Sequence, residues 1–294
     1  MSYRTLIDVP ALRRRLESVP PSGSGLAIID CRFDLSDPAA GRRLYAAGHI
    51  PGARFADLNE DLSAPVTRDT GRHPLPEPLV FAATLGRLGI ENGVQVVAYD
   101  AANGAFAARL WWMLRAWGHG EVAVLDGGYP AWTAAGAPTL TGAEPSDSGT
   151  AIELPTIERW PVASAAEVEE LLRDPRRLLV DARAPERYAG SVEPIDTVAG
   201  HVPGAENHPF SSNLGSDGRF LSAAELERRW QARLGGREPA ALVAMCGSGV
   251  TACHNLLALE IAGLPGAKLY AGSWSEWIRN SRRPVAKGDS TRGA

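Results

Sequence analysis

The sequence predicts an α/β protein made of two tandem copies of one domain, each copy a mostly parallel sheet flanked by helices. Three observations lead there. The chain has 294 residues, about twice the usual domain length. It repeats its own motifs at a nearly constant offset. Each copy alternates short apolar runs, such as ALVAM and KLYAG, with helical patterns such as SAAELERRWQARL and ACHNLLALEIAGL, the pattern of buried parallel strands joined by crossover helices.

The repeat appears at four places. IIDCRFDLSD (28–37) answers LLVDARAPERY (178–188), both apolar runs closing on Asp-x-Arg. AAGHIPGA (46–53) answers VAGHVPGA (198–205), VQVVAYD (94–100) answers AALVAMC (240–246), and DGGYPAW (126–132) answers AGSWSEW (271–277). Fixed-period self-similarity marks a duplicated unit. The expected organisation is a first domain over 1–145, a linker over 146–160 and a second domain over 161–294. The linker stretch is rich in Gly, Ser, Thr and Pro and has no periodicity. Ser164 and Ser222 stand where helix N-caps belong.

Composition excludes several classes. Net charge is −4, with 45% hydrophobic and 22% charged residues. The scattered Lys and Arg form no basic stripe for nucleic acid, and no apolar run reaches the ~18 residues of a spanning helix. The opening residues lack the apolar core of a secretory signal. Three cysteines, Cys31, Cys246 and Cys253, have neither disulfide-framework nor zinc spacing, so a reducing cytoplasm is expected, with no metal and no membrane partner.

Duplication also supplies an internal control. A residue in both copies is explained by the shared fold; a residue in one copy is a candidate for function. His49 with His201, Asp30 with Asp181, and Arg32 with Arg183 are therefore expected to be structural. Cys246 has Asp100 as its counterpart. It stands where strand LVAM runs into CGSGVT and then a helix, the end of a parallel sheet at which α/β folds place ligands. Gly247 and Gly249 let the backbone curl with its N–H groups inward, and those donors with the helix dipole favour an anion at the centre. That environment favours thiolate, the nucleophilic form. Cys31 and Cys253 read as structural.

A cysteine in an anion-cradling loop serves phosphate-ester hydrolysis or sulfur transfer. Cysteine phosphatases close the loop with an arginine six residues after the nucleophile, to hold a phosphoryl dianion. That position is Ala252 here, which disfavours a phosphatase.

CGSGVTAC, the duplicated GH[IV]PGA, the Asp-x-Arg strand ends and GSWSEW together resemble the tandem-domain sulfurtransferases of the rhodanese superfamily, over about residues 5–285. The resemblance implies two rhodanese-like domains, the first catalytically inactive. It also implies a six-residue active loop, Cys246 to Thr251, in which Cys246 carries a persulfide between half-reactions, and no cofactor. Gly247, Gly249, Val250 and Thr251 are the implied loop contacts to the donor. The uncharged Gly-Ser-Gly resembles the branch that takes 3-mercaptopyruvate, with Ser248 polarising a carbonyl or relaying a proton; basic loop residues mark the thiosulfate branch. Arg187 matches the family arginine on the anionic donor, and its counterpart is Ser36. The mercaptopyruvate pattern has a second arginine where EPID places Ile195, so thiosulfate stays open as the donor. His73 lies in a segment, 59–76, without a counterpart in the second copy, and is a candidate donor contact; Asp57 and Asp61 are weaker ones. The acceptor would be cyanide, a small thiol or a thioredoxin-like protein. A sulfur-carrying binding module and a purely structural tandem domain are the rival readings.

Overall fold

A computed structural model of the protein describes residues 2–18, 25–142 and 160–288. The chain divides into two compact units. The first comprises Met1–Ala64, Leu75–Trp160 and Asp217–Arg219; the second comprises Pro65–Pro74, Pro161–Ser216 and Phe220–Ala294. Residues 146–159 of the expected linker lie outside the described residues. Trp160, the last residue assigned to it, is buried in the first unit. Its indole N–H donates to the Pro76 carbonyl at 2.7 Å, and its ring meets Phe81 edge-on at 5.4 Å.

The first unit holds a five-stranded parallel sheet: β1 (Leu6–Ile7), β2 (Leu26–Asp30), β3 (Ala53–Phe55), β4 (Gln95–Tyr99) and β5 (Val122–Leu125), in the order β1-β5-β4-β2-β3. Its helices are α1 (Val9–Ser18), α2 (Ala40–Ala47), α3 (Pro78–Arg87), α4 (Ala107–Trp117) and α5 (Gly128–Ala134). β4 is buried at every position, as its apolar run Val96–Tyr99 requires of a central strand covered on both faces, and the buried Gln95 amide is hydrogen-bonded to Tyr3, Val96 and Glu121.

The second unit repeats the plan with α6 (Ala165–Leu171), β6 (Leu178–Asp181), α7 (Pro185–Ala189), β7 (Glu206–Asn207), α8 (Ala223–Leu234), β8 (Leu242–Met245), α9 (Ala252–Ile261), β9 (Lys268–Leu269) and α10 (Ser273–Trp277). The four strands are parallel in the order β7-β6-β8-β9. Val162 extends the edge through a single parallel bridge to Leu269, the place β1 takes in the first copy. Ser164 caps α6 in a reciprocal capping box with Glu167, and the Ser222 side chain accepts from the Glu225 N–H at the start of α8, satisfying N–H groups that a helix start leaves open.

The duplicated charged residues do structural work in both copies. Arg32 pairs with Asp30 and donates to the Gly48 carbonyl at 2.6 Å; Arg183 pairs with Asp181 at 2.7 Å and donates to the Gly200 carbonyl at 2.8 Å. Each arginine thus ties a strand end to the GH[IV]PGA turn. His49 stacks on Tyr45 with ring centroids 4.1 Å apart, and His201 stacks on Tyr188 at 3.8 Å. Both bond through Nδ1 to the carbonyl of the same tyrosine at 2.8 Å.

Candidate active site

In the second unit β8 ends at Met245 and α9 begins at Ala252, so CGSGVT forms the turn between a central strand and a helix N-terminus. α10 closes the turn from one side. The Trp274 N–H donates to the Cys246 carbonyl at 3.0 Å and the Ser275 N–H to the Gly247 carbonyl at 2.9 Å. The Cys246 N–H donates to Ser273 Oγ at 3.0 Å. Ser273 adopts φ +52°, a left-handed conformation that costs a non-glycine residue free energy; the hydroxyl contact it gains anchors the cysteine backbone. Its counterpart in the first copy is Gly128, at φ +58°.

The Cys246 sulfur faces the loop. The Gly249 N–H donates to Cys246 Sγ at 3.1 Å, and Gly249 reaches this position with φ +76°, open to glycine at little steric cost. Cys253 donates through its thiol to the Gly249 carbonyl at 3.3 Å, so the second cysteine buttresses the same peptide. Burial, and then the charges of Asp30, Asp100 and Asp61, push the Cys31 thiol well up, which keeps it protonated and inert.

Asp100 shows what such a loop holds. Its carboxylate accepts from the N–H groups of Ala102 and Gly104 through Oδ1 and of Phe106 and Ala107 through Oδ2, at 2.8–2.9 Å. The first copy therefore fills its own anion cradle with a fixed, fully buried side chain, whereas the second puts a thiol at the cradle's rim.

The other site residues converge on Gly247 and Ser248. His73 Nδ1 lies 2.8 Å from Ser248 Oγ, and both residues are buried. The segment carrying His73 belongs to the second unit and is pinned there. The Arg72 N–H donates to Ser275 Oγ at 3.0 Å, and a Cβ on Gly71 would come within 2.5 Å of the Gly272 carbonyl oxygen. Arg187 leans over the loop, its terminal nitrogens 3.6 Å from where a Cβ on Gly247 would sit; Arg72 Nη2 is 2.9 Å from that same point.

Two carboxylates hold these guanidinium groups. Glu193 accepts from Arg187 at 2.8 and 3.2 Å and lies 3.5 Å from Arg183. Asp196 bridges Arg187, at 3.1 Å, and Arg72. Burial raises the Glu193 carboxyl, but hydrogen bonds from Arg187 and the backbone N–H groups of Asp196 and Ile195 bring it below its usual range. Asp196 is pushed up by burial, against the pull of Arg72. Cys246 and Ser248 are 2% and 6% exposed, while the side chains of Arg72 and Arg187 are 24% and 17% exposed; the arginine edge is the more open side.

Of the residues expected from sequence, Cys246, Gly247, Ser248, Gly249, His73 and Arg187 come together here. Val250 is buried in the turn and Thr251 is the N-cap residue of α9. Ile195 is 40% exposed, and its contribution is the backbone N–H to Glu193. Asp57 and Asp61 stay in the first unit, where Asp61 pairs with Arg87 and caps the Asp57 N–H. Arg72, Glu193 and Asp196 were not expected. Among the described residues no three His, Cys, Asp or Glu side chains gather as a metal site, and no helix is long and apolar enough to cross a membrane.

The Rhodanese-like domain profile matches residues 9–135 and 164–280, and the chain belongs to the rhodanese family as a two-domain sulfurtransferase. It is 51% identical over 295 residues to a probable 3-mercaptopyruvate sulfurtransferase of Pseudomonas aeruginosa, covering 98% of this chain and all of the relative. It is 37% identical over 287 residues to a thiosulfate sulfurtransferase of Cricetulus griseus, covering 95% and 93%. The structure of 3-mercaptopyruvate sulfurtransferase from Leishmania major superposes with TM-score 0.82 and 32% identity, over 96% of this chain and 76% of that one.

Proposed function

We propose that the protein moves sulfur from 3-mercaptopyruvate to a thiophilic acceptor through a persulfide on Cys246, in a ping-pong cycle. The observation that carries this is the Gly249 N–H aimed at Cys246 Sγ, which gives an anionic sulfur a fixed donor in a water-poor turn. The thiolate attacks the donor's sulfur. A new S–S bond forms, the donor's C–S bond breaks, and its electron pair passes to C3 to give the enolate of pyruvate. Arg187 holds the carboxylate. The Ser248 hydroxyl, hydrogen-bonded to His73, sits on the same loop to stabilise the enolate oxygen or relay the proton that C3 takes up. The persulfide's outer sulfur then passes to cyanide, a small thiol or a reduced thioredoxin-like protein, and Cys246 leaves as thiolate. The loop Cys246 to Thr251 contacts the donor, the first domain is inactive, and no cofactor takes part. The domain limits are 1–145 and 161–294, and three unpaired cysteines suit a reducing cytoplasm.

Intact-mass measurement tests this. After incubation with 3-mercaptopyruvate the protein gains one sulfur, and Cys246→Ser gains none; a wild-type protein that gains none contradicts the reading. Thiosulfate is the second donor, favoured by the two guanidinium groups beside Gly247, and comparing kcat/KM for the two donors ranks them.

A further inference from the structure

Asp196 is the carboxylate that joins the two arginines beside the reactive loop. Its side chain is 4% exposed and spans both guanidinium groups: Oδ1 accepts from Arg72 and Oδ2 from Arg187 at 3.1 Å. Both arginines approach Gly247, where a Cβ would lie 2.9 Å from Arg72 Nη2 and 3.6 Å from the terminal nitrogens of Arg187. The backbone presents Asp196 to them, because the Glu193 side chain accepts its N–H at 3.0 Å and that of Ile195 at 3.1 Å. This turn is peculiar to the second copy. At the offset set by GH[IV]PGA the counterpart of Asp196 is Leu44, which lies on α2 and is 46% exposed, just as the counterpart of Arg187 is Ser36.

The charges on this edge cancel. Arg72, Arg183 and Arg187 are matched by Asp181, Glu193 and Asp196, and the loop CGSGVT brings no charged side chain of its own. Asp181 is engaged with Arg183, and Glu193 with Arg183 and Arg187; among the described residues Asp196 is the carboxylate that reaches Arg72. A donor entering here leaves water for an edge with no net positive charge, so a dianion loses more than a monoanion does. 3-Mercaptopyruvate brings one carboxylate. Thiosulfate brings two charges, and both stay on the sulfite that leaves when its outer sulfur passes to Cys246. We propose that Asp196 is a specificity-determining residue, which holds the donor edge neutral and so favours the monoanionic 2-oxo acid over dianionic thiosulfate. This deepens the reading of Cys246 as the sulfur acceptor and rests on it.

Removing that one charge tests the assignment through the ratio of two donors. In a ping-pong cycle kcat/KM for the donor reports only the half-reaction that loads Cys246. It is measured for thiosulfate and for 3-mercaptopyruvate at pH 8 and fixed ionic strength, with dithiothreitol as uncharged acceptor. Asp196→Asn leaves the edge with one net positive charge, which attracts a dianion about twice as strongly as a monoanion, and the ratio of the thiosulfate value to the 3-mercaptopyruvate value rises ~10-fold. Asp196→Glu keeps the charge and keeps the wild-type ratio. A fall in both donor values by the same factor in Asp196→Asn makes the residue a brace for the arginines and overturns the proposal, as does a ratio that stays where it was. An equal rise of the ratio in Asp196→Glu ties the effect to geometry and overturns it too. These results leave the Cys246 persulfide intact; a wild-type protein that takes sulfur from neither donor overturns the underlying reading together with this one.

Discussion

Gly249→Ala probes the loop at its tightest point. Gly249 holds φ +76°, and a Cβ there would run into the carbonyl oxygen of Ala271, backbone that leads into α10 and cannot swing aside. An L-residue in the left-handed region costs about 1–2 kcal/mol, and the steric conflict adds to it, so the peptide relaxes and carries its N–H away from Cys246 Sγ. A hydrogen bond to a charged group is worth about 1.5–3 kcal/mol, which corresponds to a ~10–100-fold fall in rate. The fold survives, because stabilities of about 5–15 kcal/mol exceed the backbone cost. The assay pairs kcat/KM for 3-mercaptopyruvate with the rate of Cys246 alkylation by iodoacetamide at neutral pH, and urea unfolding confirms the native state. Both rates are expected to drop together. A folded Gly249→Ala protein with wild-type alkylation and turnover would show that this N–H does not sustain the nucleophile.

Gly247→Ala has no backbone conflict and meets side-chain ends alone, Arg72 Nη2 at 2.9 Å and Arg187 at 3.6 Å; it should raise the donor KM with little change in urea midpoint. Asp100→Asn leaves an amide group facing N–H donors that the carboxylate now satisfies, and should cost about 3–5 kcal/mol in urea unfolding. His208 is held down to about 4 by burial, which outweighs its hydrogen bond to Asn213. The unfolded chain takes up that proton near pH 6.5 and the folded one only near 4, so stability falls as pH drops through this window. The loss approaches about 3 kcal/mol and should shrink in His208→Gln, measured by urea midpoints at pH 7 and 4.5.

Duplication made most of the fold legible. Paired motifs identified the strands that end in Asp-x-Arg, the structural histidines and the contrast between Asp100 and Cys246, because one copy served as the control for the other. The strand order was not legible, since nothing local in KLYAG says which neighbour it takes. The cluster of charged side chains beside the loop was half legible. Arg187 stood out because it is not repeated, but Arg72 meets Asp196 across 124 residues of chain and comes from a stretch without a counterpart. EPID was read for the arginine it lacks; what it contributes are the carboxylates of Glu193 and Asp196, whose effect on a thiolate looks unfavourable until the guanidinium groups between them are seen. Arg183 was read as purely structural, and it also reaches Glu193.

The central claim is that the sulfur rests on the protein between two separate half-reactions. Mixing the enzyme with excess 3-mercaptopyruvate and no acceptor, and following pyruvate on the millisecond-to-second scale, tests it most directly. A burst of one pyruvate per chain, absent in Cys246→Ser, is the predicted result. Pyruvate that appears only once an acceptor is added would mean that sulfur passes straight from donor to acceptor, and would contradict the account.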